Sequence, residues 1–234
     1  MALKFLIGLL LLPLCWVSIE TFFLLFRNEA ISGAFYNSPQ FFFFGAGAIA
    51  CLLLCRPNRR NRLLMWLYVA GHELTHTLFV LICRGQVSKI HITPGGGHIR
   101  TNRNNFLISL SPYFFPFYTI LTILVWALLE WQLTDFSESD AFWLYGLIGL
   151  TWMFHVTYTV WILRGEQTDV RINGRVFSFS VILLVNLLVI SALVIVASPT
   201  ATFRNFGLAW FQNFQTVGQR LLDSVGEILE ILPI

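Results

Sequence analysis

The segment of this sequence best equipped for chemistry is His72-Glu73-Leu74-Thr75-His76. On a helix, residues four apart stand one turn apart on the same face, so the two imidazoles can ligate one Zn2+ with Glu73 beside them. The glutamate in such a pair takes a proton from the attacking water and passes it to the leaving amine. That is the chemistry of an HExxH zinc metalloendopeptidase, with Glu73 catalytic and His72 and His76 holding one Zn2+ per chain. The setting sharpens this reading, because the motif interrupts an apolar run over residues 63–83. A carboxylate at the centre of a membrane helix costs about 3 kcal/mol on insertion scales unless it is paired, binds a metal or faces water. A polar cluster that merely glues helices together is the competing role. Ser, Thr, Asn or a single His ordinarily fills it, and it has no use for this spacing.

A hydrolytic zinc needs a third protein ligand and an open position. The extended motif of soluble enzymes, with a glycine three residues after the second histidine and a histidine three beyond that, is absent, since Phe79 and Ile82 occupy those places. The third ligand must come from His91, His98, Glu130, His155, Glu166 or Asp169. His155 lies in the apolar stretch TWMFHVTYTVW and has three readings: a hydrogen-bond donor to the reacting centre, a helix-packing contact, or a ligand. We take it as a catalytic candidate. Glu166 reads more readily as an exposed loop carboxylate beside Arg164 than as a ligand. Thr75 and Thr77 are expected to bond their own helix backbone.

The elements that must position these residues follow from composition. Of the 234 residues 56% are apolar and 12% charged, with 23 Phe and 8 Trp, and the mean hydropathy is +0.71. This excludes an ordinary soluble domain and predicts an all-α polytopic membrane protein. With about 20 apolar residues per crossing, six spans are expected near residues 4–26, 39–55, 63–83, 106–131, 141–163 and 176–198. The second is short and carries Gly45 and Gly47, so it is either re-entrant or shaped by a neighbouring helix. Residues 1–198 then form one membrane-embedded domain. Residues 199–234 form an amphipathic segment that anchors or packs on it. The apolar start runs on past Leu14 with no small-residue cleavage site, which predicts a retained first span.

Between the third and fourth spans, residues 84–105, RGQVSKIHITPGGGHIRTNRNN, predict a strand, a turn and a second short strand. Its first strand is expected to place Val87, Lys89 and His91 on one face and Ser88, Ile90 and Ile92 on the other. Such a hairpin is either a plain surface feature or an edge that accepts extended substrate. Asn104 and Asn105 are expected to cap the fourth helix, and Pro112 and Pro116 to kink it. His91 and His98 read as interfacial polar residues. Cys15, Cys51, Cys55 and Cys83 form no disulfide framework, although Cys51 and Cys55 share a helix face. The net charge of +3 shows no basic run interleaved with aromatics, which argues against a nucleic-acid partner. Lys and Arg divide almost evenly between the two sides and do not orient the chain.

GHELTH in a hydrophobic helix, then HITPGGGHIR, NFLISLSPYFFP and QTDVRINGRVFS, together resemble the site-2 protease class of intramembrane zinc metalloproteases, in particular its small bacterial members without a PDZ domain. The resemblance covers about residues 63–180. It implies a multi-pass protein of the bacterial inner membrane that cleaves membrane-spanning protein substrates, with the hairpin side facing the cytoplasm. It also implies that the third zinc ligand is an Asp from late in the chain, which makes Asp169 the matching residue. The class commonly follows that Asp with Gly, whereas Val170 follows it here. Two other classes remain in view: a catalytically silent membrane protein that binds clients through the same groove, and a metal transporter. The first would ordinarily have lost Glu73 or a histidine. The second would spread its polar residues along several helices.

Overall fold

The computed structural model describes residues 1–33, 37–58, 60–132 and 138–231, with side chains for all of these except 138, 139, 225 and 228–231. The chain is mostly helical, with one two-stranded sheet. Its order is α1 (Ala2–Ile31), α2 (Pro39–Leu54), α3 (Arg62–Ile82), β1 (Val87–Thr93), β2 (Gly96–Thr101), α4 (Phe106–Leu110), a 3-10 turn (Ser111–Tyr113), α5 (Phe117–Gln132), α6 (Glu138–Leu163), α7 (Thr168–Asn173), α8 (Arg175–Ala197) and α9 (Phe203–Ile231).

Among the described residues three helices are long and apolar enough to cross a membrane: α1, α6 over Asp140–Leu163, and α8. The fourth expected span is two helices rather than one. It breaks at the prolines into Phe106–Tyr113 and Phe117–Gln132, bent by 78°, and the pair counts as a fourth crossing only if taken together. Pro116 has no N–H for a helical bond, and the residue before a proline is driven out of the helical region. Helix α2 is apolar but has only 16 residues, about 24 Å at 1.5 Å per residue against a core of about 30 Å. Helix α3 has 21 residues, and its polar HELTH segment dilutes its apolar character.

Two tight helix pairs form the frame. In the first, α2 meets α6 through glycines: a Cβ on Gly47 would sit 1.9 Å from the Gly146 carbonyl oxygen, and one on Gly149 would sit 2.0 Å from that of Phe44. Only glycine permits so close a backbone approach, which explains Gly47 of the short second helix; Gly45 faces open space. In the second pair α1 meets α8, where Ser180 Oγ donates to the Gly8 carbonyl at 3.0 Å and a Cβ on Gly8 would touch the Phe177 backbone at 2.7 Å. Helix α9 packs along α1 rather than standing apart. Trp210 Nε1 donates to Ser18 Oγ at 3.0 Å, Asn213 Nδ2 donates to Thr21 Oγ1 at 2.9 Å, and Arg220 lies 3.7 Å from Glu20.

Helix α3 runs between these pairs. Met65, Tyr68 and Val69 pack with Phe154 and Tyr158 of α6, and Phe79 packs on Phe114 and Phe115. Asn61 caps its start by accepting from the Leu64 N–H. The antiparallel hairpin β1–β2 follows, with His91 opposite His98 and Ile92 opposite Gly97. A register irregularity between Val87 and Lys89 breaks the expected alternation of faces at the start of β1. Arg103 Nη1 donates to the Cys83 carbonyl at 2.6 Å and ties the hairpin's far end to the end of α3.

Candidate metal centre

Helix α3 places His72 and His76 on one face, their rings 4.8 Å apart and nearly perpendicular. Asp169, in the first turn of α7, completes the group: its Oδ2 lies 3.8 Å from His72 Nε2 and 3.6 Å from His76 Nε2. Tetrahedral Zn2+ with Zn–N and Zn–O bonds of about 2.0–2.2 Å sets its ligand atoms roughly 3.3 Å apart. The observed separations exceed that by a few tenths of an ångström. Among the described residues these three form the one group of His, Cys, Asp or Glu gathered closely enough to hold a metal, their ligand atoms all within 4.8 Å of one another.

The supporting contacts suit that role. His76 Nδ1 lies 2.8 Å from the Ile108 carbonyl oxygen, so Nδ1 carries the proton and Nε2 offers its lone pair toward Asp169. Asn105 caps α4 by accepting from the Ile108 N–H at 2.8 Å, which fixes the turn that supplies this carbonyl. Tyr113 is fully buried and its hydroxyl donates to Asp169 Oδ2 at 3.1 Å. The break between α4 and α5 brings it there. Burial works against the charged form of Asp169, but the imidazoles of His72 and His76, when protonated toward it, outweigh burial and hold the carboxyl well below the usual carboxylate range.

Asn173 secures α7. Its Nδ2 donates to Ser109 Oγ at 2.6 Å and to the Asp169 carbonyl at 2.9 Å, and its Oδ1 accepts from Lys4 Nζ at 2.6 Å. One buried amide thereby joins the start of α1 and helix α4 to the helix that carries Asp169. Gly174 then turns the chain into α8 with φ of +88°, a conformation that favours glycine. That explains a glycine five residues after Asp169 in place of one directly following it.

Glu73 is buried beside this group, and the three side chains open onto a cavity of about 550 Å3 together with Tyr68, Asp169 and the glycine turn of the hairpin. Strand β2 lies directly against Glu73, since a Cβ on Gly97 would fall 2.6 Å from Glu73 Cγ. The hairpin therefore forms one wall of the cavity.

The remaining candidates lie elsewhere. His155 is buried in α6 and lines a separate small cavity behind His72, with Gly71, Thr75 and Tyr118. Glu166 is exposed and pairs with Arg175 at 3.6 Å, while Glu130 sits exposed on α5. His91 and His98 face each other across the hairpin with ring centroids 5.2 Å apart, and of the two only His98 borders the large cavity. Thr75 and Thr77 donate to the carbonyls of Gly71 and Glu73 at 2.7 and 2.9 Å, as expected. Sequence reasoning missed Tyr113, Asn173 and Gly97. Tyr113 carried a usable signal in its place between two prolines, which marks irregular backbone beside the site.

No family model, no curated protein and no solved structure matches this chain.

Proposed function

We propose that the chain is a membrane-embedded zinc endopeptidase that hydrolyses peptide bonds of membrane-tethered proteins. The observation that carries this reading is the convergence of His72, His76 and Asp169 from two distant parts of the sequence, with Glu73 beside them in an open cavity. A helix-gluing cluster would pair its polar groups with one another and leave no space, whereas here a cavity borders His72, Glu73, His76 and Asp169. When bound, zinc would supply a Lewis acid that lowers the pKa of water and polarises a peptide carbonyl. His72, His76 and Asp169 would hold it, and Glu73 would take the proton of the attacking water and return it to the departing amine. Tyr113 orients Asp169, and the Ile108 carbonyl orients His76.

Helices hide their peptide bonds, so the substrate must be extended where it is cut. The hairpin wall beside Glu73 presents strand backbone for that purpose. A bacterial inner-membrane location and six crossings belong to the same proposal, with α2, α3 and the bent α4–α5 pair joining α1, α6 and α8. His155, behind His72, acts through that ligand's position rather than on substrate. The test is the metal content of the purified full chain in detergent. About one zinc per chain is expected, lost in His72→Ala and in His76→Ala; unchanged zinc in both variants would remove the basis of the proposal.

A further inference from the structure

Beside the metal cavity, and sharing Gln167 with it, the corner formed by α6, α7 and α8 carries two further hollows. The upper one, of about 240 Å3, is bordered by Arg164, Arg171 and Arg175 with Glu166. Glu166 Oε1 sits 3.6 Å from Arg175 Nη2, so three cations face one anion. The lower one, of about 580 Å3, is an apolar groove between α6 and α8 walled by Val156, Val160, Leu183, Leu187 and Ile190. The two hollows share Leu163, Arg164 and Phe179. Cationic mouth and apolar trough are thus one continuous feature.

We propose that this feature binds one anionic phospholipid, its phosphate among the arginines and an acyl chain along the groove. The dimensions fit. From Leu163 back to Trp152, both on the groove, α6 covers 12 residues, about 18 Å, and one leaflet of a hydrocarbon core is about 15 Å deep. A transmembrane helix does not fit as well. One turn of a helix about 10 Å across and 5.4 Å long fills roughly 420 Å3, so the groove holds less than a turn and a half. The charge balance favours a phosphate over a zwitterionic headgroup, whose own cation would meet the three arginines. The site depends on the membrane setting and on neither zinc nor proteolysis.

The test uses the full chain in detergent micelles, exchanged with phosphatidylglycerol or with phosphatidylcholine of the same acyl chains and weighed by native mass spectrometry. One phosphatidylglycerol should be retained per chain, in preference to phosphatidylcholine. Each arginine near an anionic headgroup strengthens binding by about fivefold, so R171A/R175A should weaken phosphatidylglycerol retention roughly thirtyfold. Both residues are exposed, so the change leaves the core intact. Leu183→Trp fills the groove with every arginine in place and should reduce retention of both lipids. Phosphatidylglycerol with brominated chains should quench the fluorescence component that Trp152→Phe removes. Equal retention of the two lipids, retention untouched by both variants, or displacement of the lipid by a single-pass peptide would overturn the proposal.

Discussion

Gly97→Ala isolates the base from the metal. A methyl group at this position would lie 2.6 Å from Glu73 Cγ, 2.8 Å from Glu73 Oε1 and 2.8 Å from the His91 carbonyl oxygen. Carbon atoms in ordinary contact stand about 3.5 Å apart, so something must move by roughly 0.9 Å. The carbonyl is backbone of the paired strand β1, so relief needs a local shift of the hairpin at Gly97 together with displacement of the Glu73 side chain. A misplacement near 1 Å costs on the order of 100-fold in rate, which is about 2.7 kcal/mol of barrier. None of the three proposed ligands is touched. The assay pairs the cleavage rate of a membrane-tethered substrate in detergent or liposomes with zinc content on the same preparation. The expected result is a rate about 100-fold lower with one zinc per chain retained. A rate within twofold of the parent would refute the placement of Glu73 under the hairpin, and zinc lost in step with the rate would refute the separation of the two roles.

Two further substitutions address the metal shell. Tyr113→Phe removes the hydroxyl that donates to Asp169 and is expected to weaken zinc binding by about 10–100-fold, measured by competition with a chelator of known affinity; unchanged affinity would make that hydrogen bond irrelevant to ligation. Asp169→Asn should lower zinc content sharply while Glu166→Gln, on an exposed carboxylate paired with Arg175, leaves it unaltered, and the reverse order would move the third ligand to Glu166.

The part of the site legible in the sequence was the part whose geometry is local. Helical spacing alone sets His72, Glu73 and His76 together, and the strand and turn residues of 87–101 announce the hairpin. Asp169 lies 93 residues beyond His76, and no local pattern brings it there. It entered through a family resemblance and stands at the site because Asn173 pins α7 to α1 and α4. The Ile108 carbonyl was invisible, since any residue supplies one. Crossings were harder to read than chemistry. Apolarity marks a segment as buried in protein or lipid without distinguishing the two, so the short α2, the broken α4–α5 and the diluted α3 all resemble spans in sequence, while among the described residues three helices have the length and apolarity to cross unaided.

The role of Glu73 is the point on which the account turns, and Glu73→Gln tests it most directly. The substitution keeps the size of a side chain that contributes no ligand atom to the His72, His76 and Asp169 group. Zinc content and substrate cleavage are measured together on parent and variant. One zinc per chain is expected in both, with cleavage abolished in the variant. Cleavage that persists in Glu73→Gln would contradict it.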